Sequence, residues 1–384
     1  MIWEELDRQL EELAHQRLLR SKKTLASPCG TCAVIAGKTC LAFSSNDYLG
    51  LAAHEKLIDA VRLSAGKWGI GSGGSHVVNG HKVPHENLET ALAGFVGAER
   101  ALFYSTGYMA NVGVVPALVG RGDAVFGDRL NHASLIDGVL LSRADHHRYA
   151  HNDMIRLEKM LKASTAKRKL IVSDAVFSMD GDQAPLKELF ALAERYDAWL
   201  VVDDAHGFGV LGREGHGSLD HQGLPFHPRL IYVGTLGKAA GVSGAFVAGS
   251  KAVVEWLIQR SRPYIFTTAT SPVLASAILA ALELIRNGDT LRARLHSLIA
   301  RLKTGLDETG WQLLPSATAI QPILVGENAT ALRVSEKLLE RGIWVPAIRP
   351  PTVPKGRARL RVSLSAAHTE ENIDQLINAL KEIE

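Results

Sequence analysis

The stretch TLGKAAGVSGAF, residues 235–246, places a single lysine, Lys238, among small and apolar residues. It follows the apolar run LIYVG, whose length and composition are typical of a buried strand. Three glycines, at positions 237, 241 and 244, surround the lysine. A lysine after a strand is usually solvated, so the fold around this one decides whether it has a chemical role.

Two further apolar runs, RKLIVSDAVFS and AWLVVDDAH, come before this stretch, and the helical pattern LKELFALAERYD separates them. Strands that alternate with helices of this length pair in parallel, which predicts a layered α/β fold. GAFVAGS follows the lysine after a short turn and is expected to pair antiparallel. We predict a large domain of residues 46–284 with a mostly parallel central sheet. A helical arm and hairpin over residues 1–45 precede it, and a smaller α+β domain over residues 285–384 follows.

The composition argues against several functional classes. The chain has 384 residues, 46% of them hydrophobic, which is enough for a large core and two lobes. A net charge of +3 is too small to predict nucleic-acid binding. The sequence contains no apolar run of about 18 residues, so no membrane span is predicted. The N-terminus is acidic and has no apolar signal-peptide core, so we predict a cytoplasmic protein.

Three local motifs suggest other chemistry, and each lacks the context that it needs. Cys29 and Cys32 form a CxxC between two expected short strands. A zinc site needs four ligands and the sequence has no second pair, so no metal is predicted, and redox use remains an alternative. Residues 69–74 and 207–212 both fit GxGxxG. Neither motif lies between a strand and a helix, as a dinucleotide site requires.

Each of three strands is expected to end in polar side chains. The first ends in FSMDGD, residues 177–182, the second in Asp203 and His206, and the third in Lys238. Ligands of an open parallel sheet bind beyond the carboxyl ends of its strands, so these groups are expected at one edge. Taken singly, an aspartate in such a place often caps a helix. Asp204 is predicted to be structural, as a hydrogen-bonding neighbour of Asp203.

Pyridoxal phosphate (PLP) is the cofactor whose chemistry needs such a set. A lysine in a desolvated pocket loses proton affinity and becomes a nucleophile that can form a Schiff base. A buried carboxylate, for which Asp203 is the candidate, keeps the ring nitrogen protonated. The segment STGYMAN, residues 105–111, follows a predicted strand and opens a helix, whose first N–H groups can bind the phosphate.

These segments, in order and over nearly the whole chain, resemble the fold-type I PLP enzymes and, among them, the α-oxoamine synthases. The matching segments are FSSNDYLGL (43–51), GIGSGGS (69–75), STGYMAN (105–111), DRLNHASLIDG (128–138), VFSMDGD (176–182), VVDDAHGFGVLG (201–212) and TLGKAAGVSGAF (235–246). The C-terminal stretch from AIQPILVG to SLSAAHT is similar to the family member that acts in biotin biosynthesis.

The resemblance implies four catalytic residues around the cofactor. Lys238 would hold PLP as a Schiff base, Asp203 would pair with the pyridine nitrogen, and His206 would hydrogen-bond the ring oxygen. His132 would stack on the ring face, although taken alone it could be a satisfied polar histidine.

Six further residues are implied as cofactor contacts: Gly107, Tyr108, Ser178, Thr235, Thr267 and Thr268. The first two would donate backbone N–H groups to the phosphate. The last two would reach the phosphate of the other subunit, since the active sites of the family lie at a homodimer interface.

Substrate contacts are implied for four residues in addition to the ring-stacking histidine. Asn46 and Arg349 would bind the carboxylate of the amino acid, because a guanidinium can grip a carboxylate with two bonds. Arg20 and Thr352 would contact the acyl substrate, with a solvated surface charge as the alternative for Arg20. Many relatives carry arginine in place of His76, which leaves open how the acyl chain or its carrier is held there.

The resemblance therefore implies an acyltransferase that condenses L-alanine with a pimeloyl thioester, either pimeloyl-CoA or pimeloyl-acyl carrier protein, and releases CO₂. One alternative is another α-oxoamine synthase that uses glycine, such as glycine C-acetyltransferase or 5-aminolevulinate synthase. A PLP aminotransferase is a second alternative. A non-catalytic partner subunit of the same fold is a third, but such a subunit would be expected to lack Lys238.

Overall fold

The computed structural model describes residues 2–383, which divide into two compact units. One unit combines residues 2–48, 179–181 and 293–383, and the other combines residues 49–178 and 182–292. The N-terminal residues thus share a unit with the C-terminal residues, whereas the sequence analysis assigned them to a separate arm.

Within residues 2–383 the strands are, in chain order, β1 (Cys32–Ile35), β2 (Lys38–Ala42), β3 (Arg100–Tyr104), β4 (Ala124–Asp128), β5 (Asp145–Tyr149), β6 (Lys169–Asp174), β7 (Ala198–Asp203), β8 (Leu230–Thr235), β9 (Ala245–Gly249), β10 (Gln312–Leu313), β11 (Ile320–Gly326), β12 (Ile343–Trp344), β13 (Ala347–Ile348) and β14 (Ala358–Ser363). The α-helices are α1 (Ile2–His15), α2 (Glu55–Trp68), α3 (Val83–Val96), α4 (Gly107–Leu118), α5 (Ala133–Ser142), α6 (Met154–Ala163), α7 (Leu186–Arg195), α8 (Ser218–His221), α9 (Lys251–Arg260), α10 (Arg262–Ile265), α11 (Pro272–Arg286), α12 (Asp289–Leu306), α13 (Asn328–Glu340) and α14 (Glu370–Ile383). A π-helix covers His76–Gly80, and a 3-10 turn covers Arg213–Gly215.

The unit of residues 49–178 and 182–292 is built on a sheet with the strand order β3-β9-β8-β7-β6-β4-β5. Strands β8, β7, β6, β4 and β5 pair in parallel, and β9 pairs antiparallel with both β8 and β3. Four side chains from consecutive strands, Ile231, Val201, Leu170 and Val125, are fully buried, as expected when helices cover a parallel sheet. The predicted α/β fold, with a mostly parallel sheet and an antiparallel GAFVAGS strand, is confirmed.

Strand β6 ends at Asp174, earlier than the sequence predicted. The chain then leaves the strand, because the Ala175 N–H donates to the carbonyl of Asp203 and Val176 forms an antiparallel bridge with Gln183. The expectation that FSMDGD ends this strand is therefore wrong, since the segment belongs to a hairpin beyond it. Asp174 and Asp203 are consequently register partners at the ends of adjacent strands.

The other unit contains an antiparallel sheet, β10-β11-β14-β13, and a smaller sheet, β1-β2-β12. Strand β14, ARLRVS, is buried at every position, although two of its residues are arginines. Helix α1 has no buried residue, and its apolar side chains, including Trp3, Leu6 and Leu10, are exposed. None of the helices within residues 2–383 combines the length and apolar composition that a bilayer span needs.

Candidate active site

Lys238 lies in a tight loop between β8 and β9. The Leu236 N–H donates to the Gly244 carbonyl at 2.9 Å, and the Gly241 N–H donates to the Lys238 carbonyl at 2.8 Å. Gly241 has a φ of +68°, and a Cβ there would lie 2.6 Å from the backbone nitrogen of Ala52, so only glycine fits. The glycine near the lysine therefore allows a turn packed against backbone, which holds the lysine in place.

The ε-amino group of Lys238 lies 2.7 Å from Nε2 of His206. His206 is buried and follows β7, whereas Lys238 follows β8. Because β7 and β8 pair in parallel, their carboxyl ends lie side by side and bring these two predicted catalytic residues together.

Asp203, the last residue of β7, is buried and held by two donors. Its Oδ1 accepts the Ala205 N–H at 3.0 Å, and its Oδ2 accepts the side-chain amide of Asn111 at 2.6 Å. Asn111, on α4, is fully buried and also donates to Oγ of Ser134 at 2.8 Å. Asn111 lies in the matching segment STGYMAN but was not among the predicted site residues, so the structure adds it to the candidate site.

His132 precedes helix α5 and continues this network. Its Nδ1 lies 2.8 Å from Oγ of Ser134, so hydrogen bonds connect His132 to Asp203 through Ser134 and Asn111. Its backbone N–H donates to Oδ2 of Asp174 at 2.6 Å. Burial lowers the pKa of His132, which favours a neutral ring at pH 7.

Asp174 is a second carboxyl group at this sheet edge, and the sequence analysis missed it. Burial, followed by the negative charge of Asp203, raises the pKa of Asp174 well above its usual value. Two carboxyl groups on neighbouring strand ends favour a positive charge beside them. The protonated nitrogen of PLP supplies such a charge, so the pair fits the cofactor. Asp174 follows the apolar run LIVS as Asp203 follows LVV, but the apolar pattern continues past Asp174, so the sequence gives no sign that the strand ends there.

The expected phosphate contacts lie at the start of helix α4. The helix begins at Gly107, and the hydroxyl of Thr106 accepts the Met109 N–H at 3.1 Å. The first N–H groups of an α-helix have no acceptor within the helix, so those of Gly107 and Tyr108 can bind a phosphate. A Cβ on Gly107 would lie 3.9 Å from Oγ1 of Thr235, which places two predicted contacts side by side.

Three further predicted contacts lie outside this group. Ser178 is half-buried in the hairpin after β6. Thr268 is exposed and forms an antiparallel bridge with Ser75, and Thr267 beside it is half-buried. Their roles at the cofactor stay predictions.

The unit of residues 2–48, 179–181 and 293–383 holds the four predicted substrate contacts other than His132, and it pairs one of them, Asn46, with an unexpected residue. The side-chain oxygen of Asn46 accepts from Arg361 at 3.1 Å, and Arg361 also donates to Oγ of Ser363 at 2.7 Å. Arg361 is buried in β14, where the sequence analysis assigned no site residue. The structure thus brings Asn46 together with Arg361 and places Arg349 elsewhere in this unit.

Arg349 lines a cavity of about 710 Å³ together with Arg20 and Thr352. Its guanidinium donates to the carbonyl of Arg17, and within residues 2–383 its Nε is buried without a hydrogen-bond partner. Burial, and then the charge of Arg20, lowers the pKa of Arg349. Since Trp344 adds an apolar wall, the cavity suits an apolar chain that carries an acidic group.

Known proteins resemble the chain over almost all of its length. The family model for aminotransferase class I and II matches residues 38–380. An 8-amino-7-oxononanoate synthase of Herminiimonas arsenicoxydans is 63% identical over 99% of both chains, and that of Aromatoleum aromaticum is 59% identical over 100% of this chain and 99% of its own. The structure of serine palmitoyltransferase from S. paucimobilis, with a bound PLP-myriocin aldimine, is 32% identical with a TM-score of 0.93, and the match covers 98% of this chain and 96% of that one.

The chain therefore belongs to the aminotransferase class I and II family and, within it, to the group of the 8-amino-7-oxononanoate synthases. The predicted resemblance to the fold-type I PLP enzymes is confirmed, and the cofactor of the chain is PLP. The residues that fit the cofactor here are the amine of Lys238, the carboxylate of Asp203 and the N–H groups at the start of α4.

Proposed function

We propose that the chain condenses L-alanine with a pimeloyl thioester to give 8-amino-7-oxononanoate, CO₂ and the free thiol, a step of biotin biosynthesis. The observation that carries this proposal is the 63% identity, over 99% of both chains, to a relative named for that product. A glycine-using synthase is not favoured, because a relative at 53% identity carries the same name.

Lys238 has two tasks in this proposal. It binds the cofactor and, once the amine of alanine has displaced it, removes the proton from Cα of alanine as general base. After acyl transfer and loss of CO₂, it returns a proton to Cα. His206, whose Nε2 lies 2.7 Å from the lysine nitrogen, orients this amine. When bound, PLP supplies an electron sink for the pair left on Cα.

Asp203 and His132 support the ring of the cofactor. The carboxylate of Asp203 stabilises a protonated ring nitrogen, and Asn111 holds that carboxylate in position at 2.6 Å. The neutral ring of His132 provides a stacking face.

Two sets of residues are proposed to bind the carboxylates of the substrates. Asn46 and the buried Arg361 bind the carboxylate of alanine, so Arg361 takes the place that was predicted for Arg349 beside Asn46. Arg349 and Arg20 bind the free carboxylate of the pimeloyl chain in the cavity that they line. The buried and unpaired Nε of Arg349 supports this assignment, because an anion would supply its missing partner.

We also propose a homodimer, since enzymes of this fold are commonly dimeric. Apolar side chains are exposed in the unit of residues 49–178 and 182–292, with Ile70 and Phe266 both at 69% and Val78 at 79% exposure. A second copy would remove this surface from water. Light scattering during size-exclusion chromatography should give twice the chain mass of 41.5 kDa. The cytoplasmic location stays a prediction.

A substrate comparison tests the reaction. The PLP-loaded enzyme is mixed with L-alanine or glycine and with pimeloyl-CoA or pimeloyl-acyl carrier protein, and both the free thiol and the product mass are measured. We expect product from L-alanine and little from glycine, and the two acyl donors will show which carrier is used. Product from glycine alone would move the chain to a sister synthase.

A matched pair of lysine variants tests the proposed base. Lys238→Ala should lose turnover while remaining folded, and Lys159→Ala, an exposed lysine on α6, should keep it. Normal turnover by the first variant would overturn the role of Lys238.

A further inference from the structure

Three histidines converge in the unit of residues 49–178 and 182–292, outside the groups used by the proposed reaction. One nitrogen from each of His76, His81 and His85 lies within 4.8 Å of the other two. Nδ1 of His76 and Nδ1 of His81 are only 2.8 Å apart. His85 is buried, and the other two are half-buried. No metal was predicted from the sequence, in which His76 is only a departure from relatives that carry arginine.

We propose that His76, His81 and His85 form a binding site for a divalent transition-metal ion that favours imidazole ligands, with Zn²⁺ as the reference ion. Two nitrogens bound at about 2.0–2.1 Å to a tetrahedral ion lie about 3.3 Å apart. The rings of His76 and His81 therefore have to separate by only about 0.5 Å to admit the ion.

The surroundings orient the first two ligands. Nε2 of His81 lies 3.1 Å from a carboxylate oxygen of Glu86, which leaves its Nδ1 to face His76. A carboxylate behind a ligating histidine fixes the ring and raises its basicity. His76 lies in the π-helix, and its ring stacks on Tyr264 with 4.7 Å between centroids and an angle of 9°.

The third ligand has to exchange one hydrogen bond for a metal bond. Nδ1 of His85 accepts the Lys82 N–H at 2.9 Å, and its Nε2 lies 2.7 Å from the carbonyl of Thr270. Because Nε2 carries the proton of this neutral ring, the ion binds at Nδ1 and displaces the Lys82 N–H, so no proton leaves the ring. The Nε2–H keeps its bond to the Thr270 carbonyl, which also accepts from the hydroxyl of Ser72 at 2.6 Å.

Equilibrium dialysis of the PLP-loaded enzyme against Zn²⁺ tests the proposal, with the visible spectrum of Co²⁺ as a second readout of coordination geometry. The background variant carries Cys29→Ser and Cys32→Ser, because these exposed thiols would also bind zinc. We expect one tightly bound ion per chain and a Co²⁺ spectrum typical of a tetrahedral site. His76→Asn and His81→Asn should lose this ion. His227→Asn, a half-buried histidine outside the cluster, should keep it.

A milder variant keeps the test valid if a histidine variant fails to fold. Glu86→Gln removes only the charge behind His81, and we expect about tenfold weaker binding with an unchanged circular dichroism spectrum. Absence of a bound ion in the background protein would overturn the site, as would equal affinity in the background and in folded His76→Asn and His81→Asn. Neither result bears on the proposed reaction, whose measurement needs no added metal.

Discussion

Asp203 and Asp204 are neighbours in sequence, but the structure gives them different surroundings. Asp203 accepts from the side chain of Asn111, whereas Asp204 accepts from the N–H and hydroxyl of Ser218 and from the phenol of Tyr232 at 2.5–2.7 Å. Asp204 is fully buried, which raises its pKa to about 6. These bonds fit the predicted structural role of Asp204, although its partners are not Asp203. Adjacent residues of an extended chain point to opposite sides, so one carboxylate serves the site and the other the interior.

The largest effect on catalysis is expected from Asp203→Asn. This change removes the negative charge and keeps the shape, so the ring nitrogen of the cofactor loses the carboxylate that is proposed to hold its proton. We expect kcat to fall by about 10²–10³-fold, the size seen when a preorganised electrostatic contact is removed. Steady-state kinetics measures this, and urea unfolding should show little change. A kcat close to that of the unchanged enzyme would remove the proposed distinction between the two aspartates.

Asp204→Ala is expected to lower stability and to leave kcat nearly unchanged, the opposite of Asp203→Asn. The donors of Ser218 and Tyr232 lose their acceptor in a fully buried place, and each unpaired group costs about 1–3 kcal/mol. We expect the free energy of unfolding to fall by about 3 kcal/mol, with kcat per folded molecule nearly unchanged. Urea unfolding and kinetics on the same preparation check both values. A loss of kcat without a loss of stability would place Asp204 in the catalytic machinery.

Asp203 and Asp174 show which site residues the sequence could predict and which it could not. Asp203, His206 and Lys238 follow apolar runs that end as strands, so strand order alone places them at one sheet edge. Asp174 was missed because the run LIVSDAVFS continues past it, and only the long-range bond from the Ala175 N–H to the Asp203 carbonyl ends the strand there.

Two further residues of the candidate site depend on packing that local pattern does not contain. Asn111 lies on an otherwise apolar face of α4. The spacing of that face predicts a residue of the hydrophobic core, and it does not reveal the hydrogen-bond partner of the side chain. Arg361 lies in a strand whose every residue is buried, and its contact with Asn46 joins positions 315 residues apart. Buried polar residues with distant partners are therefore the part of a site that spacing alone does not identify.

Asn111→Ala should have a smaller effect than Asp203→Asn. It removes one donor from the carboxylate of Asp203, and hydrogen bonds to charged groups are worth about 1.5–3 kcal/mol. We expect kcat to fall by about tenfold, because the carboxylate of Asp203 is held less firmly in its position. Ser134→Ala is the control, since it leaves the bond between Asn111 and Asp203 in place. Equal losses in both variants would indicate a general packing defect.

The smallest expected effect concerns the pH dependence of stability. The pKa of Asp204 in the folded chain, about 6, lies above its ordinary value of 3.8, so between these values the folded state keeps a proton that the unfolded state has released. The contribution of Asp204 to stability therefore falls as pH rises, by about 1 kcal/mol between pH 5 and pH 6. Urea unfolding at these two pH values should show this loss in the unchanged chain and in Asp203→Asn, but not in Asp204→Asn. If Asp203→Asn removed the slope instead, the raised pKa would belong to the site carboxylate, and the contrast between the two aspartates would be reversed.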